Sequence, residues 1–327
     1  MPTVLVTDDR HTDYTIEEEI LHAAGIDLEV HDFDSLETAI PHLRRADGLL
    51  LNLFPLDRAA MHHLSRCRII SRYGTGYDNV DVAAATEAGI WVARVPDYAT
   101  EDASDHALAL LLAGARHVAH RDREIRNGRW NAPPVAPVRR LAGSTLGVAG
   151  LGRVGKALIR KSAGLGFGRI LVYDPHKSPH TVKSHGARQV DLEMFLRESD
   201  FVSWHVPLSD ETRGLVGPRE FELVKPEAVW VNTARGAIFD EAALAEALTR
   251  GRPAYAGLDV FDTEPLPPDS PLRELDNVLL TDHFGYFSRQ SIVELKTQAA
   301  ENVVEVLAGR APAHPVNYPL HDPPPVG

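Results

Sequence analysis

The sequence predicts an α/β protein of two domains, each with a parallel sheet covered by helices, and three observations carry that prediction. Short aliphatic runs alternate with helical stretches almost throughout the 327 residues, as parallel strands joined by crossover helices require. The alternation restarts near Thr145 after an irregular stretch, 128–137, that holds three Pro. The length also exceeds what one ordinary core holds and suits two domains.

The first series opens with a strand at Val4–Val6, followed by a helix from about Ile16 that Gly25 should end. Leu49–Leu53, Cys67–Ser71 and Ile90–Ala93 read as the next strands, with Gly89 closing the helix before the last. The second series places strands at Thr145–Ala149, Ile170–Tyr173, Phe201–His205, Val229–Asn232, Tyr255–Asp259 and Val278–Leu280. Asp240 is positioned to N-cap a helix ending at Gly251. Two long apolar-periodic stretches, Asp102–His117 and Ser288–Leu307, flank the second series and suit helices that join the domains. On that reading the chain leaves its first domain near Tyr98, builds the second, and returns near Phe284. Periodicity also allows two consecutive domains.

Composition bounds the function. Hydrophobic residues at 44% and charged residues at 24% are ordinary globular values. A net charge of −12 argues against a nucleic-acid partner, because phosphate binding draws on clustered Lys and Arg, but leaves room for a small anionic substrate. No basic segment followed by an apolar run opens the chain, and no apolar stretch reaches membrane-spanning length, so neither a signal peptide nor a membrane partner is expected. Cys67 stands alone and is expected to be a small buried apolar residue. The Pro-rich tail, Pro323–Val326, is the one biased run. A cytoplasmic protein without a metal site is the expectation.

Chemistry enters at Gly150-Leu151-Gly152-Arg153-Val154-Gly155, a G-x-G-x-x-G turn between a strand and a helix. The first Gly permits a tight turn, the second lets backbone approach a pyrophosphate, and the third allows close helix–strand packing. The helix N-terminus adds free amides and partial positive charge. Asp174 ends the next strand, nineteen residues beyond Gly155. Its carboxylate suits the ribose hydroxyls of NAD and repels the 2′-phosphate of NADP, although His176 and Lys177 lie nearby. Gly150–Lys156 also fits a triphosphate loop, but Ala157 stands where magnesium binding needs Ser or Thr.

Arg235, Glu264 and His283 follow three separate strands, so all three fall on the carboxyl edge where parallel sheets bind ligands. Oxidising a 2-hydroxy acid needs a base for the hydroxyl proton, and His titrates in the useful range. A neighbouring carboxylate fixes the imidazole tautomer and favours its charged form. An Arg fork binds a carboxylate and polarises a keto oxygen. Each residue alone has an ordinary structural explanation; their coincidence with a dinucleotide turn is what points to catalysis.

Asn232-Thr233-Ala234-Arg235-Gly236, the run Leu258–Pro265, and Thr281-Asp282-His283 resemble the three signature segments of the D-isomer-specific 2-hydroxyacid dehydrogenases. Arg72–Asp81 resembles that family's substrate-carboxylate loop, and His205-Val206-Pro207-Leu208 with Glu211-Thr212 its adenine-side strand end. Pro96–Glu101 and Asp105–Leu108 look like the branch holding the C-terminal-binding-protein corepressors and phosphoglycerate-dehydrogenase-like enzymes.

The resemblance implies a flavodoxin-like substrate domain from 1–98 plus 286–327, with a Rossmann NAD domain, 99–285, inserted between and forming most of a homodimer contact. It makes Arg235 the substrate-orienting group, His283 the acid/base and Glu264 its partner. Arg72, Tyr73, Gly74, Thr75, Gly76 and Tyr286 would bind the substrate, with backbone amides around Thr75 and Gly76 holding its carboxylate. Thr100, Gly150, Gly152, Arg153, Val154, Gly155, Asp174, His205, Val206, Pro207 and Thr212 would contact NAD. Thr233, Asp259 and Gly285 would line the nicotinamide pocket, and Ala234, Arg235 and His283 would also contact the cofactor. Because the cradle and Arg235 fall in one domain and the Gly74–Gly76 loop in the other, the domains are expected to close about hinges near Tyr98–Thr100 and Phe284–Ser288. Asp282 replaces the usual Pro, Tyr286 a frequent Trp, and Phe284 narrows the same wall, so the substrate stays open. An NAD-sensing binding protein and a dehydrogenase of a phosphonate or other oxyanion are the alternatives.

Overall fold

A computed structural model describes residues 1–321 of the chain; the Pro-rich tail lies outside the described residues. The chain forms two compact units, one from Met1–Tyr98 together with Ser288 onward, the other from Ala99–Phe287.

The first unit runs β1 (Thr3–Val6), α1 (Thr15–Ala23), β2 (Asp27–Val30), α2 (Leu36–Leu43), β3 (Gly48–Leu51), α3 (Arg58–Met61), β4 (Ile69–Arg72), α4 (Val82–Glu87) and β5 (Trp91–Ala93). Its parallel sheet has the order β2-β1-β3-β4-β5. Val4, Leu49, Leu50, Leu51, Ile69 and Ile70 are fully buried, as strands covered on both faces should be. Ser35, Asp57 and Asp81 accept amide bonds at the starts of α2, α3 and α4, satisfying donors that helix ends leave open. Cys67 is buried, and burial pushes its thiol up to about 12.

The second unit begins with α5 (Thr100–Arg116) and α6 (Val118–Arg126), separated by His117 in the left-handed region at φ 53°. It continues through β6 (Thr145–Ala149), α7 (Arg153–Ser162), β7 (Arg169–Tyr173), α8 (Pro179–Ser184), β8 (Arg188–Gln189), α9 (Leu192–Glu198) and β9 (Phe201–Trp204). Then follow α10 (Pro218–Phe221), β10 (Val229–Asn232), α11 (Glu241–Thr249), β11 (Tyr255–Leu258) and β12 (Val278–Leu280). The sheet is parallel, in the order β12-β11-β10-β9-β6-β7-β8. Strand order therefore reverses between β6 and β9, and the Gly-rich turn after β6 lies at that switch point, where such sheets hold ligands. Trp204, Trp230, Phe221 and Phe239 pack ring against ring beneath this edge. Asp240 accepts from the Ala243 amide and so caps α11.

The last helix, α12 (Arg289–Leu307), returns to the first unit and packs on α1, β3 and β4. Two strands were not predicted, β2 and β8. Both are edge strands, and Asp27-Leu28-Glu29-Val30 and Arg188-Gln189 lack the continuous apolar run that marks a buried strand. No helix among the described residues is long and apolar enough to cross a membrane.

Candidate active site

The Gly-rich turn is shaped by backbone contacts. Gly150 has φ 90°, and a Cβ there would lie 2.8 Å from the His205 carbonyl and the Val206 nitrogen. A Cβ on Gly155 would lie 2.2 Å from the Gly150 oxygen. Gly152 differs: its backbone is extended, with φ −79° and ψ −159°, and a Cβ would meet nothing within 4 Å. Two glycines thus hold the turn tight, while the third leaves open space at the N-terminus of α7, where a pyrophosphate fits. Arg153 is exposed, Val154 is half-buried, and both begin α7.

Asp174 stands directly beside this turn. Its Oδ2 accepts the Leu151 amide at 2.9 Å and its Oδ1 the His176 amide at 3.0 Å. Each oxygen keeps a lone pair for a ribose hydroxyl. On the opposite side of the turn, His205 Nε2 lies 2.8 Å from Ser203 Oγ, and burial lowers the ring to about 4, so it is neutral in ordinary buffers. Val206 is buried and Pro207 exposed. The Thr212 hydroxyl donates to the Pro207 carbonyl and closes the following loop.

The loops after β10, β11 and β12 bring Arg235, Glu264 and His283 together in one unit. His283 Nδ1 lies 2.7 Å from Glu264 Oε2, and Glu264 Oε1 accepts the Phe261 amide at 3.1 Å. Burial pushes the Glu264 carboxyl up, but His283, the Phe261 amide and the Arg235 charge outweigh it and hold the group below its ordinary value. His283 adopts the left-handed region at φ 55°, and its amide donates to the Asp259 carbonyl at 2.8 Å. Strained backbone of this kind persists where its surroundings fix it, and it clusters at functional sites. Tyr286 stands edge-on to the imidazole with centroids 6.3 Å apart. Asp282 and Phe284 are exposed.

Asn232 positions the arginine turn. Fully buried, it donates from Nδ2 to the Arg235 carbonyl at 2.9 Å and accepts the Ala234 amide at 3.0 Å. The Arg235 guanidinium donates to the Ala234 carbonyl. Backbone contact locks this turn onto the Glu264 loop, since a Cβ on Gly236 would lie 1.8 Å from the Phe261 carbonyl carbon. Thr233 Oγ1 is buried without a hydrogen-bond partner among the described residues, an open polar atom beside Arg235 that a cofactor carboxamide would satisfy.

Asp259 is not presented to a ligand. It is 1% exposed and accepts from Thr281 Oγ1 at 2.6 Å, the Phe284 amide at 2.8 Å and the Gly285 amide at 2.9 Å. His106 Nε2 reaches the same carboxylate at 3.2 Å and Thr281 Oγ1 at 3.0 Å. Burial raises the Asp259 carboxyl, and these donors bring it below its ordinary value. The side chain thus braces the segment that carries His283. Asn232 and His106 fall within the 232–236 and 105–108 segments that carry the family resemblance, but no role of their own is read for either from sequence.

In the first unit, the loop after β4 begins beyond Arg72. The Arg72 and Tyr73 side chains are turned inward: both are buried, and Tyr73 donates its hydroxyl to Glu17 Oε1 at 2.8 Å. Gly74 has φ 122°, and its carbonyl accepts the Val95 amide. Thr75 Oγ1 donates to the Val95 and Pro96 carbonyls. Tyr73 therefore offers no side chain to a substrate, because its ring packs on His11 inside the unit. Thr100 is the first residue of α5.

Residues 108–285 match the family model described as D-isomer specific 2-hydroxyacid dehydrogenase, NAD binding domain. The chain is 40% identical over 287 residues to a glyoxylate reductase of Korarchaeum cryptofilum, covering 86% of each protein. It is 36% identical over 300 residues to a D-3-phosphoglycerate dehydrogenase of Archaeoglobus fulgidus, covering 91% of this chain but 56% of that protein. The structure of an Aquifex aeolicus D-lactate dehydrogenase, complexed with NAD and lactic acid, superposes with a TM-score of 0.87 at 26% identity, covering 97% of this chain and 99% of that one. A dinucleotide cradle and a strand-end His–Glu pair on a parallel sheet define an NAD-dependent oxidoreductase of 2-hydroxy acids. The chain belongs to the D-isomer-specific 2-hydroxyacid dehydrogenase family.

Proposed function

We propose that this enzyme reduces a small 2-keto acid, glyoxylate or a close analogue, with His283 as proton donor and Arg235 as the group that orients the acid. The His283–Glu264 contact of 2.7 Å carries the reading. Glu264 accepts from Nδ1 and so leaves Nε2 as the atom that gives its proton to the carbonyl oxygen, or takes one from the hydroxyl in reverse. Arg235 draws the substrate carboxylate and polarises the same oxygen. NADH, when bound, supplies the hydride. The likeness to glyoxylate reductases at 40% identity supports the substrate class. Steady-state assays with NADH and a panel of glyoxylate, hydroxypyruvate, phosphonate-bearing and bulky branched keto acids test it. Turnover confined to the phosphonate or branched acids would refute the assignment.

Asp174 carries a preference for NAD over NADP. Asp174→Ala is expected to narrow that preference by weakening NADH binding and relieving repulsion of the 2′-phosphate. Fluorescence titration with both cofactors checks it, and tighter NADPH binding by the wild type sinks it.

The chain is proposed to act in the cytoplasm as a homodimer joined through the second unit. Val118, Ile125, Trp130 and Val138 are exposed within one short stretch of that unit, and apolar surface of this kind marks an interface. A monomeric mass by light scattering at micromolar concentration would exclude the dimer.

A further inference from the structure

We propose that Glu29, His31 and His42 form a binding site for one divalent transition-metal ion, Zn²⁺ or a chemical relative, on the edge of the first unit's sheet. This goes beyond the reductase activity and reverses the expectation that the chain has no metal site. Glu29 lies on the edge strand β2, His31 follows it directly, and His42 lies on α2. Residues two apart along extended chain share a face, so Glu29 and His31 project together, and α2 brings His42 to them.

The geometry is close to that of a bound ion. Glu29 Oε2 is 3.6 Å from His31 Nε2 and 3.8 Å from His42 Nδ1, and the donor atoms all lie within 4.8 Å of one another. A tetrahedral ion with bonds of about 2.0–2.1 Å holds its ligands about 3.3 Å apart, which small rotations of these half-buried side chains reach. Among the described residues, this is the one group of three or more His, Cys, Asp or Glu side chains whose donors converge in this way. Two imidazoles and one carboxylate select zinc, cobalt, nickel or copper over magnesium or calcium, which prefer oxygen.

Two further observations point to a cation there. The Arg45 Nη2 donates to Glu29 Oε2 at 2.8 Å and contacts His42 Nδ1 at 3.0 Å, so a positive group already occupies the convergence point. Arg45 is about half exposed and can swing into solvent. Phe33 stacks on His31 at 5.2 Å and lies 5.2 Å from His42, an apolar wall that sets both rings, as outer-shell groups do around metals.

The test uses untagged full-length protein stripped with chelator. Calorimetric titration with Zn²⁺ is expected to show one equivalent bound with Kd on the order of 1 µM or tighter, the scale of a partly open nitrogen–oxygen site. Co²⁺ should give the visible absorption of a low-coordinate histidine-bound ion. His31→Ala and His42→Ala should each weaken binding about tenfold or more and abolish that absorption. Arg45→Ala should tighten binding, because it removes the competing cation. The chain has 16 His, so binding left unchanged by His31→Ala and His42→Ala would place the ion elsewhere and overturn the proposal. So would the absence of a stoichiometric site, or weaker binding by Arg45→Ala.

Discussion

Replacing His283 with Ala is expected to lower kcat for keto-acid reduction by roughly a hundredfold or more, the usual scale for losing a general acid. The imidazole is held by Glu264 at Nδ1, and the backbone that carries it is held by the His283 amide on the Asp259 carbonyl. Because position 283 sits at φ 55°, Ala there adds backbone strain. His283→Asn tolerates that region and separates lost chemistry from lost structure. Both variants should bind NADH, which fluorescence titration measures. Near-wild-type kcat in a folded, NADH-binding variant would show that another group moves the proton.

The same pair sets the pH dependence. The Glu264 carboxyl lies below its ordinary 4.5, so the stability gained from the pair is fully present above that value. It is lost only as pH falls through the lower, folded value. The acid limb of activity above pH 4.5 therefore does not report Glu264. Glu264→Gln keeps an acceptor for Nδ1 but removes the carboxylate charge beside the ring, so kcat for keto-acid reduction is expected to fall about tenfold or more while NADH affinity stays nearly intact. An unchanged kcat would show that the carboxylate charge does not assist proton transfer.

The buried strands were legible because two-sided burial writes continuous apolar runs, as in Leu49–Leu51 and Phe201–Trp204. Their predicted ends at Leu53, His205 and Asp259 overran by one or two residues, and at His205 and Asp259 the backbone still bonds to the neighbouring strand, through amides donated to the Ala149 and Asn232 carbonyls. β2 left no such run, and its Glu29 belongs instead to the surface cluster with His31 and His42. The cradle and the strand-end positions of Arg235, Glu264 and His283 were legible because chemistry fixes residue type and spacing there. Side-chain direction was not. Tyr73 turns inward to Glu17 and Asp259 inward to Thr281 and two amides, and contacts distant in sequence decide both. No local periodicity encodes such a choice.

The Gly-rich turn allows a prediction that separates ligand approach from packing. Gly152→Val is expected to weaken NADH binding by about a hundredfold or more, roughly 2.7 kcal/mol, with the thermal midpoint almost unchanged. Its extended backbone suits an ordinary residue, and nothing lies within 4 Å of a new Cβ. The added side chain therefore meets no protein atom at its Cβ and projects only into the space proposed for the pyrophosphate. Gly155→Val should lose both properties, because its Cβ would sit 2.2 Å from the Gly150 oxygen and force α7 away from β6. NADH titration and differential scanning fluorimetry on the two variants give the comparison. If Gly152→Val binds NADH as the wild type does, the open face of the turn is not where the pyrophosphate lies. If Gly155→Val keeps its midpoint, the helix–strand contact is not what fixes the cradle.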